Sequence, residues 1–121
     1  MLTSSQSARA RIFAIVPCYN EGPRIQSVLE ALLKVPSLEA IIVVDDGSSD
    51  GSAQVVSRLI ADKTTSPVDS SPIHLLIRAY NHGKSAAVLL GVLQASHIDP
   101  PPEYLLLLDA DLRQVQAEEL E

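Results

Sequence analysis

The sequence predicts an α/β protein built on a mainly parallel sheet with helices on both faces. Three observations carry that prediction. Short, largely apolar runs at Ile12–Val16, Ala40–Val44, Ile73–Ile77 and Tyr104–Leu108 read as strands buried in such a sheet. Segments with apolar residues at helical spacing lie between them, giving a βαβαβαβα order with right-handed crossovers. Dense polar clusters then follow the runs, at Cys18–Gly22, Asp45–Ser49, Asn81–Ser85 and Asp109–Asp111. In a parallel sheet all four fall at one edge, beyond the carboxyl ends of the strands, where such sheets bind ligands.

Met1–Arg11 is polar and reads as a flexible tail, with residues 12–121 forming one domain. A chain of 121 residues can bury one core and not two. The first strand, Ile12–Val16, is stopped by Pro17. Pro23 suits the first turn of a helix, where its missing N–H costs nothing. Ile25, Val28, Leu29, Leu32 and Leu33 then line one helical face, and Val35–Ser37 ends it.

Ala40–Val44 is the second strand, and Asp45–Ser52 is a dense turn signal. Val55, Val56, Leu59 and Ile60 mark a second helix. Asp62–Pro72, rich in Ser, Thr, Pro and Asp, reads as an exposed loop. Ile73–Ile77 is the third strand. The third helix runs from Asn81–Ser85 to about Ser96; it is apolar nearly all round and is expected to be well buried. After the stiff Asp99–Pro102 connection comes Tyr104–Leu108, expected to be buried on both faces. Gln114–Glu121 begins a fourth, acidic helical segment.

Bulk properties exclude several functions. A net charge of −6 argues against a nucleic-acid partner, because that affinity rests on clustered Lys and Arg. Aromatic residues at 3% leave no base-stacking platform. Cys18 is the single cysteine, so no intrachain disulfide forms and it reads as a buried packing residue. His74, His82 and His97 show no zinc-site spacing. No apolar run reaches membrane-spanning length, and the first residues lack a signal-peptide core. The expected compartment is the cytoplasm.

Each polar cluster has a chemical reading. Asp109 and Asp111 are spaced i, i+2 and point the same way in extended backbone. Two such carboxylates suit a hard divalent cation, Mg²⁺ or Mn²⁺; a solvated Asp turn is the plainer reading. Gly83-Lys84-Ser85 opens a helix, where backbone N–H groups and Lys84 can meet an anion; the plainer reading is a solvated first-turn lysine. A P-loop is disfavoured, because Arg78 stands where its first Gly must be. Asp45 and Asp46 can accept hydrogen bonds from a base edge or ribose hydroxyls. A dinucleotide fold is disfavoured, since Pro17–Pro23 contains only Gly22. Glu21 is either a carboxylate favoured by the helix dipole or a ligand-facing group.

Together Val16–Glu21, Ile41–Gly51, Asn81–Ala87 and Leu108–Leu112 resemble family 2 glycosyltransferases of GT-A fold, over about residues 12–113. The resemblance implies a Rossmann-like sheet and a nucleotide-diphosphate sugar donor, most often UDP-linked. It implies that Pro17, Tyr19, Asn20 and Glu21 line the nucleotide, and that Asp45 and Asp46 lie near base and ribose. Gly83 and Lys84 match a Gly-Lys element. Asp109 and Asp111 match the Asp-x-Asp motif that positions the metal on the diphosphate.

Such enzymes run to about twice this length, with an Asp or Glu base in their later half. The chain therefore reads as a donor-binding half truncated at its C-terminus, with no residue assigned as base and little or no transfer expected of it alone. The acceptor stays open between a phosphorylated small molecule, a lipid phosphate and a polysaccharide. A lipid-linked acceptor would imply membrane association of the longer protein. A non-catalytic nucleotide-sugar-binding module, or a degenerate fragment, is the alternative reading. A nucleotidyltransferase is weaker, because Cys18–Pro23 supplies no basic, Gly-rich loop. An uncovered sheet edge makes a homo-oligomer or aggregation the expected solution state.

Overall fold

The computed structural model describes residues 10–63 and 71–110. In chain order the elements are β1 (Ile12–Cys18), α1 (Gly22–Leu33), β2 (Leu38–Asp46), α2 (Ser52–Lys63), β3 (Ile73–Arg78), α3 (Lys84–Ser96) and β4 (Tyr104–Leu107). The strands form one sheet in the order β3-β2-β1-β4, and every pair is parallel. The chain builds outward from β1 to β3, then returns to place β4 on the other side of β1. The topological switch point lies between β1 and β4, so the carboxyl ends of those strands frame a crevice.

Alternation along the strands sorts the core into two layers. Ala14, Val16, Ile41 and Val43 face α1 and α2, meeting Ile25, Val28, Leu29, Leu32, Val56 and Leu59. Phe13, Ile15, Ile42 and Val44 face α3 and meet Ala87 and Ala95. Each large side chain fully removed from water stabilises the fold by about 1.5–3 kcal/mol.

α3 is less buried than its composition suggested. Its inward stripe is Ala87, Gly91 and Ala95, while Leu89 and Leu93 are 59% and 49% exposed. The small stripe lets the helix lie close on the sheet. A Cβ on Gly91 would sit 2.6 Å from Cγ2 of Ile15 and 3.3 Å from Cγ2 of Val44. The leucines are thereby turned outward.

β4 likewise departs from the expectation of two buried faces. Its register aligns Leu105 with Phe13 and Leu107 with Ile15. α3 lies over β1 and β2, so on this outermost of the described strands Leu105 and Leu107 stay 37% and 55% exposed. Leu106 and Leu108 pack into the opposite layer.

The first three strands run longer than expected, whereas β4 ends at Leu107, one residue short of the predicted run. β1 continues through Pro17 to Cys18. The carbonyl of Ile15 accepts the N–H of Leu108, so Pro17 turns its missing N–H to the same side, where the β4 ladder has ended. β2 continues through Asp45 and Asp46, which belong to the strand and not to the turn. β3 gains Arg78.

Arg11, assigned to the tail from sequence, is anchored. Its guanidinium pairs with Glu39 and donates to the carbonyls of Pro100 and Pro101. α2 runs through Lys63, into the segment expected to be loop. The fourth helical segment and Asp111 lie outside the described residues. Among the described residues, no helix is long and apolar enough to cross a membrane.

Candidate functional site

A cavity of about 210 Å³ opens at the carboxyl ends of β1, β2 and β4 and the start of α3. Pro17, Tyr19, Glu21, Asp46, Gly83, Lys84 and Asp109 line it, together with Cys18, Asn81, Ala87 and Ala110. It is smaller than the roughly 300–1,000 Å³ of pockets that enclose a whole ligand, so it fits part of one. The fold thus gathers most of the residues singled out from sequence. Asn20 and Asp45 stand outside this lining, and Asp111 is outside the described residues.

Asp45 and Asp46 part company because adjacent residues of a strand point to opposite faces. Asp46 turns to the α3 side. Its carboxylate accepts the N–H groups of His82, at 3.1 Å, and Gly83, at 2.9 Å. The guanidinium of Arg78 lies 3.5 Å away. One buried carboxylate therefore sets the loop that delivers Lys84. Gly47 lies directly beneath that loop, and a Cβ there would come 2.7 Å from the backbone of Tyr80 and Asn81.

Asp45 turns to the α1 side. Its Oδ2 accepts the N–H of Ser48 at 3.2 Å, while its Oδ1 is buried with no hydrogen-bond partner among the described residues. A buried acceptor left unpaired costs about 1–3 kcal/mol. Cys18 is its register partner on β1. Burial, followed by the charge of Asp45, pushes the Cys18 thiol up to about 12.

Ser52 joins the first two loops. Its hydroxyl is fully buried; it accepts the N–H groups of Glu21, at 3.1 Å, and Gly22, at 3.0 Å, and donates to Asp50 at 2.5 Å. That hydroxyl holds the Asp50 carboxyl below the usual carboxylate range. Asn20, at a left-handed φ of 52°, donates its N–H to Ser48 Oγ and accepts the N–H of Ser49. Asn20 therefore shapes the loop, and does not line the cavity.

Sequence reasoning missed Ser52 and Arg78 as positioning residues. Asp50-Gly51-Ser52 ahead of an apolar helical run is a helix-start signal that points to Ser52. Arg78 carries no comparable local signature, because its pairing with Asp46 exists only across the β2–β3 ladder.

At the mouth of the cavity the ammonium of Lys84 pairs with Oδ1 of Asp109. Asp109 follows the end of β4, as expected, and remains partly exposed. Among the described residues, no three His, Cys, Asp or Glu side chains gather as a ready metal cage. One hard carboxylate at a mouth that also holds an ammonium suits Mg²⁺ or Mn²⁺, ions commonly held by one or two carboxylates plus substrate phosphates. The residues present fit a cation whose shell a phosphate completes.

The family model "Glycosyl transferase family 2" matches residues 13–119. A dolichyl-phosphate beta-glucosyltransferase of Dictyostelium discoideum is 35% identical over 106 residues, covering 80% of this chain and 29% of that protein. A poly-beta-1,6-N-acetyl-D-glucosamine synthase of Staphylococcus epidermidis is 33% identical over 98 residues, covering 80% of this chain and 21% of its own length. The chain thus spans under a third of these relatives. Among solved structures, mannosyltransferase PcManGT from Pyrobaculum calidifontis, in complex with GDP-Man and Mn²⁺, superposes with a TM-score of 0.71 at 28% identity, over 93% of this chain and 30% of that one. Staphylococcus aureus TarS residues 1–349, at 23% identity and TM-score 0.70 over 91% of this chain and 30% of that one, shares the fold.

Proposed function

The chain belongs to glycosyltransferase family 2, and on that premise we propose that it forms the donor site of a metal-dependent, inverting glycosyltransferase using a nucleotide-diphosphate sugar, UDP-linked. The observation that carries this reading is the meeting of Lys84 and Asp109 at the mouth of a cavity floored by Asp46 and Gly83. An ammonium there attracts the diphosphate, and a carboxylate there supplies a ligand to the cation. Asp111 is the proposed second carboxylate.

A role for Asp45 near the base, as read from sequence, requires its loop to open, because its unpartnered Oδ1 is buried outside the cavity lining. Tyr19, half-exposed beside Pro17, offers a ring face to the nucleoside. Asn20 acts indirectly, by holding the loop that carries Tyr19.

In the transfer itself, an acceptor hydroxyl attacks the anomeric carbon, the bond from that carbon to the diphosphate oxygen breaks, and the hydroxyl proton passes to a base. Bound Mg²⁺ or Mn²⁺ supplies Lewis-acid neutralisation of the departing diphosphate. The carboxylates that face the cavity are already engaged: Glu21 with Arg24, Asp46 with Arg78 and two amides, Asp109 with Lys84. This supports donor binding as the part played by the described residues, with the base supplied elsewhere. The acceptor class stays as read from sequence, a lipid phosphate, polysaccharide or phosphorylated small molecule.

Titration of UDP and GDP into the chain, with Mn²⁺ and with EDTA, tests the reading. Binding that needs metal and is lost in Asp109→Asn and Asp111→Asn is the expected result. Folded protein that binds neither nucleotide under any condition would overturn it.

A further inference from the structure

We infer that Lys84 is an internal counter-ion which a divalent cation must displace from Asp109, and that the displaced ammonium is the group that receives the donor's diphosphate. The inference rests on the donor-site reading above and adds how that site is held in its unliganded state. Three observations carry it. The Lys84 ammonium sits on Oδ1 of Asp109, and both residues line one cavity. The two reach it from different elements, Lys84 from the first residue of α3 and Asp109 from beyond the end of β4. Finally, the backbone just before Lys84 is held in place while its side chain reaches into solvent. Asp46 and Asn81 Oδ1 both accept the Gly83 N–H, yet the Lys84 side chain is 62% exposed.

A four-carbon stem on a clamped backbone lets the ammonium move without refolding anything. While the pair is closed, the carboxylate oxygen that a cation needs is occupied, and the positive charge beside it repels that cation. The charge that a diphosphate needs is likewise neutralised. Either ligand alone must break the pair; both together replace one ion pair with two. Metal and nucleotide therefore strengthen one another by the same factor, whichever arrives first. For a pair this exposed the barrier to each lone ligand is about fivefold in affinity.

Mn²⁺ binding to the 121-residue chain, followed by the electron paramagnetic resonance of the free ion, tests this without any turnover. In the absence of nucleotide, Lys84→Met should bind Mn²⁺ about fivefold more tightly than wild type. Lys84→Arg, which keeps the charge, should stay within twofold of wild type. With Mn²⁺ saturating, Lys84→Met should bind UDP and GDP more weakly than wild type. A Lys84→Met affinity for Mn²⁺ equal to or below wild type would overturn the displacement, and so would the absence of Mn²⁺ binding by either protein. Undiminished nucleotide binding by Lys84→Met would overturn the transfer to diphosphate. Failure of the donor reading looks different: wild type then binds neither nucleotide at any Mn²⁺ concentration, whereas the Mn²⁺ comparison needs no nucleotide.

Discussion

Asp46 accepts the amide of Gly83 at 2.9 Å, joining residues 37 apart in the chain. The bond runs from the last residue of β2 to the residue just before α3, so it ties a sheet edge to a helix start. The same carboxylate holds the His82 amide and faces Arg78. Asp46→Asn keeps an acceptor but removes the charge, and should cost about 2 kcal/mol of stability. Asp46→Ala should cost about 3 kcal/mol, because Arg78 loses its partner and two amides lose their acceptor. Urea denaturation measures both, and nucleotide affinity should fall with them.

Ser52→Ala should cost about 2 kcal/mol, since the amides of Glu21 and Gly22 lose a shared buried acceptor. It should also change the acid limb of the stability curve. The Asp50 carboxyl is held low by the Ser52 hydroxyl. Its contribution is therefore present above the unfolded value of about 3.9, and is lost as pH falls through the lower folded value. Denaturation midpoints from pH 5 down to pH 2 should fall more steeply in wild type than in Ser52→Ala.

Gly91→Ala places a methyl group 2.6 Å from Ile15 Cγ2. That Cγ2 is a branch methyl on a stiff β-branched side chain, so α3 must lift from the sheet. A loss of about 1–3 kcal/mol is expected. Gly47→Ala combines a φ of 82° with a 2.7 Å approach to the Tyr80 and Asn81 backbone. It should destabilise by at least about 1 kcal/mol and shift the amide resonances of residues 80–83.

Cys18 should resist alkylation in the folded chain. With the thiol pushed up to about 12, roughly one in ten thousand is thiolate at pH 8, and the side chain is buried. Iodoacetamide should label it at a rate set by unfolding, and rapidly in urea. Fast labelling without denaturant would contradict the burial.

The core strands showed as continuous apolar runs because both of their faces are covered, and α1 showed because only one of its faces is. The Leu89 and Leu93 exposure was hidden by reading α3 as uniformly apolar. Ala87, Gly91 and Ala95 at spacing i, i+4 choose the buried stripe, since only small residues admit the close approach to Ile15. Asp45 and Asp46 look like one paired site when β2 is taken to stop at Val44, but it runs two residues further. Once both lie in extended backbone, they must face opposite layers. The exposure of Leu107 depends on where α3 crosses the sheet, which no local pattern encodes.

The β1–β4 pairing has a consequence for how the nascent chain folds. Arg11 meets Glu103 across 92 residues of sequence, whereas β1 pairs with β2 as soon as α1 has intervened. Closing the longer loop costs about 1 kcal/mol more in chain entropy, and pairings so distant in sequence form late. β1 to β3 can zip together on a ribosome-bound chain while β4 is still in the exit tunnel. The crevice then acquires its second wall, and Lys84 meets Asp109, only after β1 to β3 have paired. Nucleotide added during synthesis should therefore stabilise only chains whose residue 109 has emerged.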